Sequence, residues 1–290
     1  MSEPAATAPL RVVDALQRTA DFLRERGVES ARLDAELIFA HVLGLSRLEV
    51  YLAHDRPLND EERSRARALV AERGKRVPLP HLLGTRDFHA LTLEITPDVF
   101  IPSPDTEALV DTLIAHAAQL PDGEIADIGT GSGAIAVSLA HAMADRRFLA
   151  TDCSAEALAV AGRNADRHGV TNRVRLTEGD LFAGESGPFA AVVSNPPYIA
   201  ETDRMALPPE VLHQPAVALF GGGDGLDVYR RLIPPAVERL LPGGLLLLEV
   251  GAGQAPTVTK MLQAAGLHSV VTRPDLAGIA RVVLGQMPGP

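Results

Sequence analysis

Glu124-Ile125-Ala126-Asp127-Ile128-Gly129-Thr130-Gly131-Ser132-Gly133 carries the strongest fold signal in the chain. The run 124–128 is short and apolar, as in a buried strand, and the next five residues place a glycine at every second position. A helical pattern over 132–142 follows directly. Glycines let a backbone come close to a ligand, and a helix N-terminus offers unpaired N–H groups. The segment therefore predicts the first strand, turn and helix of an α/β sheet that binds a cofactor.

The same alternation continues to the C-terminal end of the sequence. Further strands are predicted at 147–151, 173–176, 189–193, 245–250, 268–272 and 281–284, with helices at 154–168, 226–240 and 257–265. Only about eight residues join the last two strands, too few for a parallel crossover, so that pair is expected to be antiparallel. The predicted fold class is α/β, with a mostly parallel sheet covered on both faces.

The N-terminal third of the chain has a different pattern. Residues 10 to about 76 show helical spacing without any chemical motif, and Asn59 followed by Glu62 is typical of a helix-starting capping box. Around Phe88 to Ile95 the period changes to that of a β-hairpin. We predict a helical bundle over 1–76 that recognises a protein substrate, a hairpin linker over 77–100, and the sheet domain over 101–290.

Composition narrows the function classes. The net charge of −10 and the sequence pI near 5.4 argue against stable nucleic-acid binding. Cys153 is the only cysteine, no run approaches the roughly 18 apolar residues of a membrane span, and the N-terminus lacks the pattern of a signal peptide. The nine histidines show no metal-binding spacing. We expect a cytoplasmic, monomeric protein with no membrane attachment and no metal site.

The cofactor is predicted from the turn and the strands beside it. Asp152 ends the second strand, where a carboxylate can bond both ribose hydroxyls. A glycine-rich turn alone also fits a dinucleotide, so an NAD-dependent enzyme stays a distant alternative. The GxGxG spacing, the acidic Asp127 before it, and Asp180-Leu181-Phe182 after the third strand favour S-adenosylmethionine. In this interpretation Asp180 accepts from the adenine amino group, and Leu181 and Phe182 cover the ring.

Asn195-Pro196-Pro197-Tyr198 follows the apolar run 190–194. Both prolines fix φ and lack an N–H, so the carbonyls of Asn195 and Pro196 stay available to accept from an NH₂ group. The arrangement suits methylation of a planar amide or amino nitrogen, with Asn195, Pro196 and Tyr198 as the catalytic residues. Strand ends near the switch point of such a sheet share one crevice, so this segment should face the glycine turn. The long loop 200–225 predicts a substrate lid or wall.

With these residues in place, nearly the whole chain resembles the release-factor glutamine N5-methyltransferases, the HemK/PrmC family. The resembling segments are 100–107, 127–133, 194–199, 214–219, 222–226, 241–244, 249–251 and Gln254. The resemblance implies a class I, Rossmann-like S-adenosylmethionine-dependent methyltransferase that methylates the glutamine in the Gly-Gly-Gln loop of class I peptide-chain release factors. It assigns the cofactor to Gly129, Thr130, Gly131, Ser132, Gly133, Asp152, Leu181 and Asn195. It assigns the glutamine to Asn195, Pro196, Pro197 and Tyr198, with Phe100 as a pocket wall.

Two positions depart from the family pattern. Ser103 stands where an arginine is usual, and Ala280 stands where an aspartate is usual before Arg281. One replaces a cation and the other an anion, so we hypothesise that the chain has lost both halves of one ion pair.

Two other functions fit part of the same sequence. The Asn-Pro-Pro-Tyr segment is shared with nucleic-acid amino-group methyltransferases acting on adenine N6 or guanine N2, which makes that activity the alternative among enzymes. A protein that binds a translation factor on the same fold without transferring a methyl group is the alternative from another class.

Overall fold

A computed structural model of the protein describes residues 9–182, 184–275 and 277–289. The chain divides into two compact units, one reaching Gly84 and including Pro209–His213, the other formed by Thr85–Pro208 and the residues from Gln214 onward. The predicted linker over 77–100 is thus divided between the units. Its hairpin belongs to the second unit because its apolar residues, among them Phe88 and Leu93, are buried in the core of the sheet.

The first unit is helical. Its helices are α1 (Val12–Glu25), α2 (Ala31–Leu43), α3 (Arg47–Leu52), α4 (Asp60–Gly74) and α5 (Leu79–Leu83). They enclose an apolar core that includes Leu16, Ile38 and Phe39. The predicted capping box at the start of α4 is confirmed, since Asn59 Oδ1 accepts from the Glu62 N–H at 2.8 Å and Glu62 Oε2 accepts from the Asn59 N–H at 3.0 Å.

Charged side chains hold the distant segment Pro209–His213 within this helical unit. Arg73 pairs with Asp34 at 2.7 Å, and both side chains are 6% exposed. Glu210 binds Arg73 at 3.0 Å and Arg76 at 2.5 Å. Burial disfavours the ionised Glu210, but the hydrogen bonds from these arginines prevail and lower the pKa of Glu210 to about 2. Nothing in the sequence pattern predicts this attachment.

The second unit begins with the hairpin β1 (Thr85–Phe88) and β2 (Leu91–Glu94). A seven-stranded sheet follows in the spatial order β5-β4-β3-β6-β7-β9-β8. Its strands are β3 (Glu124–Ile128), β4 (Phe148–Asp152), β5 (Val174–Glu178), β6 (Phe189–Ser194), β7 (Leu240–Glu249), β8 (His268–Pro274) and β9 (Ala280–Gln286). The first five are parallel, while β9 runs antiparallel to both β7 and β8. The predicted α/β class and the antiparallel last pair are therefore confirmed.

Helices cover both faces of the sheet. They are α6 (Pro104–His116), α7 (Ala134–Ala142), α8 (Ala155–Arg167), α9 (Ala216–Leu219), α10 (Asp227–Glu238) and α11 (Ala255–Ala264). Alternate strand residues point to opposite faces, so Ile125 packs in the core with α6, α7 and α8, whereas Ala126 packs in the core with α10 and α11. Strand order reverses between β3 and β6, which opens a crevice at their carboxyl ends. No helix among the described residues is long and apolar enough to cross a membrane.

Candidate active site

One cavity of about 340 Å³ lies at the carboxyl ends of β3, β4 and β6. Most of the residues predicted from the sequence line it. They are Phe100, Gly129, Thr130, Gly131, Ser132, Asp152, Asp180, Leu181, Asn195, Pro196, Pro197 and Tyr198. Residues 217–220 of the predicted lid loop form part of the wall. The two sequence motifs therefore meet in one pocket, within a single compact unit.

The glycine turn combines two kinds of glycine. Gly129 and Gly131 have φ of 73° and 55°, and a Cβ built on either would meet no protein atom within 4 Å. Their backbone conformation needs glycine, and the space beside them stays open to a ligand. Gly133 is not among the residues that line the cavity. It packs closely on α8 instead, since a Cβ at this position would lie 3.0 Å from the Cβ of Ala161. Gly133 thus packs α7 against α8, its contact with the cofactor stays a prediction, and α7 begins at Ala134, not at residue 132.

Asp152 is held in place by backbone donors. Its Oδ2 accepts from the Gly131 N–H at 2.8 Å, and its Oδ1 accepts from the Ser154 N–H at 3.0 Å. A carboxylate offers about four lone-pair sites, so both oxygens can still accept from ribose hydroxyls. The contact to Gly131 also ties the end of β4 to the glycine turn.

Asp127, at the end of β3, holds the same glycine turn through hydrogen bonds. Its carboxylate is fully buried, and Oδ2 accepts from the Thr130 hydroxyl at 2.6 Å and from the Ala136 N–H at 3.1 Å. Oδ1 is buried without a hydrogen-bond partner among the described residues. Burial, which outweighs those two hydrogen bonds, raises the pKa of Asp127 to about 7. Asp127 thus fixes the turn to the start of α7, a structural role that its position in the motif did not reveal.

The segment after β5 differs in part from expectation. Asp180 lines the cavity, but its carboxylate is already paired with Arg231. Leu181 also lines the cavity, with φ of 50° and its carbonyl accepting from the Thr151 hydroxyl at 2.6 Å. Phe182 does not cover the pocket: it is buried in the core, where its ring stacks on Phe189 with centroids 6.1 Å apart. Its large apolar ring is therefore buried against Phe189 and does not pack on the ligand.

These features together fit S-adenosylmethionine. The lining offers open glycine backbone, a fixed carboxylate at Asp152 for hydroxyl groups, and the apolar side chain of Leu181 for a base. Among the described residues no group of three or more His, Cys, Asp or Glu side chains could hold a metal ion. Cys153 is an exposed residue beside Asp152. Partial desolvation of its thiol and the negative charge of Asp152 raise its pKa, so it stays protonated at neutral pH.

Asn195 and Pro196 occupy the other end of the cavity. Asn195 Nδ2 donates to the Thr106 hydroxyl oxygen at 3.1 Å. The amide nitrogen of Asn195 therefore faces Thr106, and its amide oxygen, Oδ1, remains as an acceptor. Within the described residues neither Asn195 Oδ1 nor the Pro196 carbonyl oxygen receives a hydrogen bond. Two acceptors are therefore available beside each other at the end of β6.

A buried carboxyl group lies behind this segment. Glu249, the last residue of β7, is fully buried, and its Oε1 accepts from the Tyr198 hydroxyl at 3.4 Å. Burial, helped by the nearby charge of Asp105, raises the pKa of Glu249 to about 7 against the opposing effects of the Thr106 hydroxyl, Arg281 and Tyr198. Oε2 has no hydrogen-bond partner among the described residues.

Two glutamines fix the backbone around the pocket. Gln254 donates from Nε2 to the Tyr198 carbonyl at 2.9 Å and accepts from the Gly251 N–H at 3.0 Å. Gln214 accepts from the Ile101 N–H at 2.8 Å, next to the pocket residue Phe100. Both glutamines lie in segments that carry the family resemblance, which was the only sequence signal for them.

The position of Ser103 has a local explanation. Its hydroxyl accepts from the Thr106 N–H at 3.3 Å as the N-cap of α6. Arg281 already has two carboxylate partners, Asp105 and Asp275, each at 3.0 Å. The ion pair hypothesised for positions 103 and 280 therefore stays a prediction. A substitution of Ser103 also removes the N-cap of α6, so any test must distinguish that loss from an effect of the ion pair.

Comparison with known proteins places this architecture in a family. Residues 14–84 match the PrmC N-terminal domain, and residues 102–234 match the methyltransferase small domain. A release factor glutamine methyltransferase of Geobacter sulfurreducens is 46% identical over 275 residues, which cover 94% of this chain and 95% of that protein. The protein of the same name from Deinococcus radiodurans is 39% identical and covers 97% and 100% of the two chains.

The chain belongs to the release factor glutamine methyltransferase family. The resemblance inferred from sequence segments is therefore confirmed. The prediction that the protein is an S-adenosylmethionine-dependent methyltransferase is confirmed with it.

Solved structures support the fold of the methyltransferase unit. A methyltransferase from Pyrococcus furiosus aligns with a TM-score of 0.51 at 20% identity, covering 68% of this chain and 88% of its own. The hMettl16 catalytic domain in complex with an RNA hairpin aligns with a TM-score of 0.55 at 18% identity, covering 77% and 84%. At such identities the likeness concerns the fold alone, so the RNA in the second structure carries no argument about the substrate of this family member.

Proposed function

We propose that this protein transfers a methyl group from S-adenosylmethionine to the side-chain amide nitrogen, N5, of the glutamine in the Gly-Gly-Gln loop of class I peptide-chain release factors. The observation that carries the proposal is the pair of available acceptors, Asn195 Oδ1 and the Pro196 carbonyl, in the cavity that the glycine turn also lines. A primary amide has two N–H donors, which match two acceptors. Membership of the family supports the same substrate.

The chemistry needs positioning more than acid–base catalysis. When bound, S-adenosylmethionine supplies an electrophilic methyl group. The amide nitrogen is a weak nucleophile, since its lone pair is delocalised into the carbonyl. By accepting from its two N–H groups, Asn195 and Pro196 would hold the nitrogen in line with the methyl group and stabilise the positive charge that grows on nitrogen as the bond from methyl to sulfur breaks. The methylated nitrogen then becomes acidic, so its extra proton can leave to water. The Tyr198 ring would stack on the planar amide and favour the nearby positive charge.

The cofactor end would hold the adenosine. Asp152 would accept from the ribose hydroxyls, Gly129 and Gly131 would let the backbone approach, and Leu181 would pack on the base. Asp180 would contact the adenine amino group only by sharing its carboxylate with Arg231. Phe100 would wall the glutamine.

The helical unit would recognise the release factor, and we expect a monomer that acts in the cytoplasm without stable nucleic-acid binding. Support comes from three exposed apolar side chains on α3, namely Leu48, Tyr51 and Leu52, each about 70% exposed. We expect Leu48→Ser with Leu52→Ser to raise KM for an intact release factor about tenfold and to leave methylation of a short Gly-Gly-Gln peptide unchanged. Equal effects on protein and peptide would remove the recognition role.

One labelling experiment tests the reaction itself. The protein is incubated with tritiated S-adenosylmethionine and, separately, a purified class I release factor, total RNA and DNA. We expect label only in the release factor, on the glutamine of its Gly-Gly-Gln loop by peptide mass spectrometry. Label in RNA or DNA would support the nucleic-acid alternative. Cofactor binding without label in any acceptor would support a protein that only binds.

A further inference from the structure

A second cavity, of about 200 Å³, lies within the helical unit. It shares no lining residue with the active-site cavity. We propose that it is a docking cavity for the protein substrate, which receives one apolar side chain from an acidic segment of the release factor. The proposal rests on the proposed function, because it concerns how the intact factor is held, and it adds the chemistry of the segment that is recognised.

The walls of the docking cavity are apolar and incompletely covered. Ala15 of α1, Phe39 of α2 and Ala66 of α4 are buried in the helical core, whereas Phe22 and Val70 are only partly buried. The cavity therefore opens from the core of the unit towards solvent. Its apolar lining consists of Leu10, Ala15, Phe22, Phe39, Leu58, Ala66 and Val70.

The volume of the docking cavity limits what it can hold. A cavity of about 150 Å³ lined by leucine, isoleucine and phenylalanine binds a benzene-sized ligand. At about 200 Å³ the docking cavity has room for one leucine, methionine or phenylalanine side chain, and not for a long acyl chain. One apolar side chain seated in such a pocket is the typical anchor of a protein–protein contact.

Three arginines complete the lining. Arg18 of α1 and Arg63 and Arg67 of α4 line the cavity and are exposed to solvent. Arg63 and Arg67 are four positions apart, so they share one face of α4. Arg63 pairs with Asp60, but Arg18 and Arg67 form neither a hydrogen bond nor an ion pair within the part of the chain that the structure describes. In a chain of net charge −10, this rim is a local concentration of positive charge.

The rim determines the charge of the occupant. A guanidinium group binds a carboxylate through two parallel hydrogen bonds, and Arg18 and Arg67 have those donors available. An apolar cavity with such a rim matches an apolar side chain that has aspartate or glutamate close to it in sequence. RNA matches less well, because a base inserted into the cavity would find Thr19 as the uncharged polar side chain of the lining.

The two parts of the docking cavity should contribute differently to binding. Charges at the rim of an interface act mainly on the association rate and on its salt dependence, whereas an anchored apolar side chain slows dissociation. Both act on the capture of the intact release factor, before the glutamine reacts. Changes at the rim should therefore raise KM for the factor and leave kcat at saturation unchanged.

The first experiment reverses one charge at the rim. Arg67→Glu is compared with Arg65→Glu, which makes the same change on the same helix at an exposed residue that does not line the cavity. We expect Arg67→Glu to raise KM for a purified class I release factor about tenfold, and Arg65→Glu to raise it less than about twofold. In both variants kcat, and methylation of a short Gly-Gly-Gln peptide, should stay within about twofold of wild type.

Salt provides a further measure of the same contact. Between about 50 and 300 mM NaCl, kcat/KM of the wild type for the intact factor should fall, and Arg67→Glu should flatten that dependence. Equal changes of KM in Arg67→Glu and Arg65→Glu would overturn the proposal, because the effect would then come from overall charge. An unchanged KM in Arg67→Glu would overturn it as well.

The second experiment identifies the occupant by photocrosslinking. The photoreactive residue p-benzoylphenylalanine replaces Arg63 at the exposed rim of the full-length enzyme, and the release factor and total RNA are offered together. We expect an adduct with the release factor, whose crosslinked peptide, read by mass spectrometry, contains an apolar residue next to aspartate or glutamate. Arg67→Glu should reduce the yield of that adduct.

A crosslinked peptide without an acidic residue, an adduct with RNA, an adduct between two enzyme molecules, or no adduct would each overturn the proposal. Failure of the proposed function looks different, because wild-type enzyme would then label neither the intact factor nor the Gly-Gly-Gln peptide. An enzyme that labels both, and in which Arg67→Glu behaves like Arg65→Glu, rejects the docking cavity alone.

Discussion

The two ends of the cavity are built in different ways. At the cofactor end, the contacts that fix the site join residues 3 and 21 positions apart, namely Thr130 to Asp127 and Gly131 to Asp152. At the amide end, Asn195 is held by Thr106 and Tyr198 by Glu249, which are 89 and 51 positions away. One end is a local strand–turn–helix motif, and the other depends on three elements brought together by the whole fold. Changes at the first should act on cofactor affinity, and changes at the second on turnover.

Asn195→Ala should give the largest effect. It removes one of the two acceptors for the amide, so we expect kcat to fall about 10³-fold while the Kd for S-adenosylmethionine changes less than about tenfold. Asn195→Asp should fail as well, because it loses the NH₂ that donates to Thr106 and places a negative charge at the transfer centre. Single-turnover labelling and calorimetry measure the two quantities. Near-normal turnover in either variant would remove Asn195 from catalysis.

Gly225→Ala should disturb the amide end from a remote loop. A Cβ at this position would lie 2.3 Å from the Tyr198 carbonyl and 2.9 Å from Gln254 Nε2. Because the backbone atom cannot move aside cheaply, we expect kcat to fall about 100-fold with cofactor affinity largely kept. Gly253→Ala is the control, since it has a similar positive φ but no protein atom within 4 Å of the added carbon. Equal kcat losses in both variants would point to backbone strain instead of a clash at Tyr198.

Asp152→Ala should act on the opposite end. The loss of a charged acceptor for the ribose hydroxyls weakens cofactor binding by roughly 1.5–3 kcal/mol, with kcat at saturation within a few-fold. The variant also leaves the N–H groups of Gly131 and Ser154 without their acceptor, which lowers the free energy of unfolding by about 1 kcal/mol. Calorimetric titration and urea denaturation give both numbers. Unchanged affinity would show that Asp152 only supports the turn.

Glu249→Gln should have the smallest effect on function, and we expect it to change the free energy of unfolding. The pKa of Glu249 is raised in the folded protein, so the stability gained from its protonation is complete below about pH 4.5 and is lost as pH rises through about 7. The glutamine variant should therefore exceed wild type by about 3 kcal/mol at pH 8 and match it near pH 4.5. Urea denaturation at the two pH values tests this. A gap that does not change with pH would mean that Glu249 is not the titrating group.

The contrast also explains what the sequence could predict. The glycine turn, Asp152 and the Asn195–Tyr198 segment were predictable because each combines a strand end with residues whose chemistry acts locally. Thr106 and Glu249 were not, since a threonine in a first helical turn and a glutamate ending an apolar strand have ordinary explanations on their own. Phe182 was assigned to the cofactor from its place after the third strand, whereas its stacking on Phe189 determines where it lies.

The attachment of Glu210 to Arg73 and Arg76 limits the modularity of this protein. Because Pro209–His213 belongs to the helical unit, the polypeptide passes between the two units three times. A fragment that starts at Thr85 would still contain Glu210 but would lack both arginines, and a loop that also supplies the pocket residues 217–220 would lose its anchor. Grafting the helical unit of another family member onto this enzyme would therefore require two matched replacements, the residues up to Gly84 and the segment Pro209–His213.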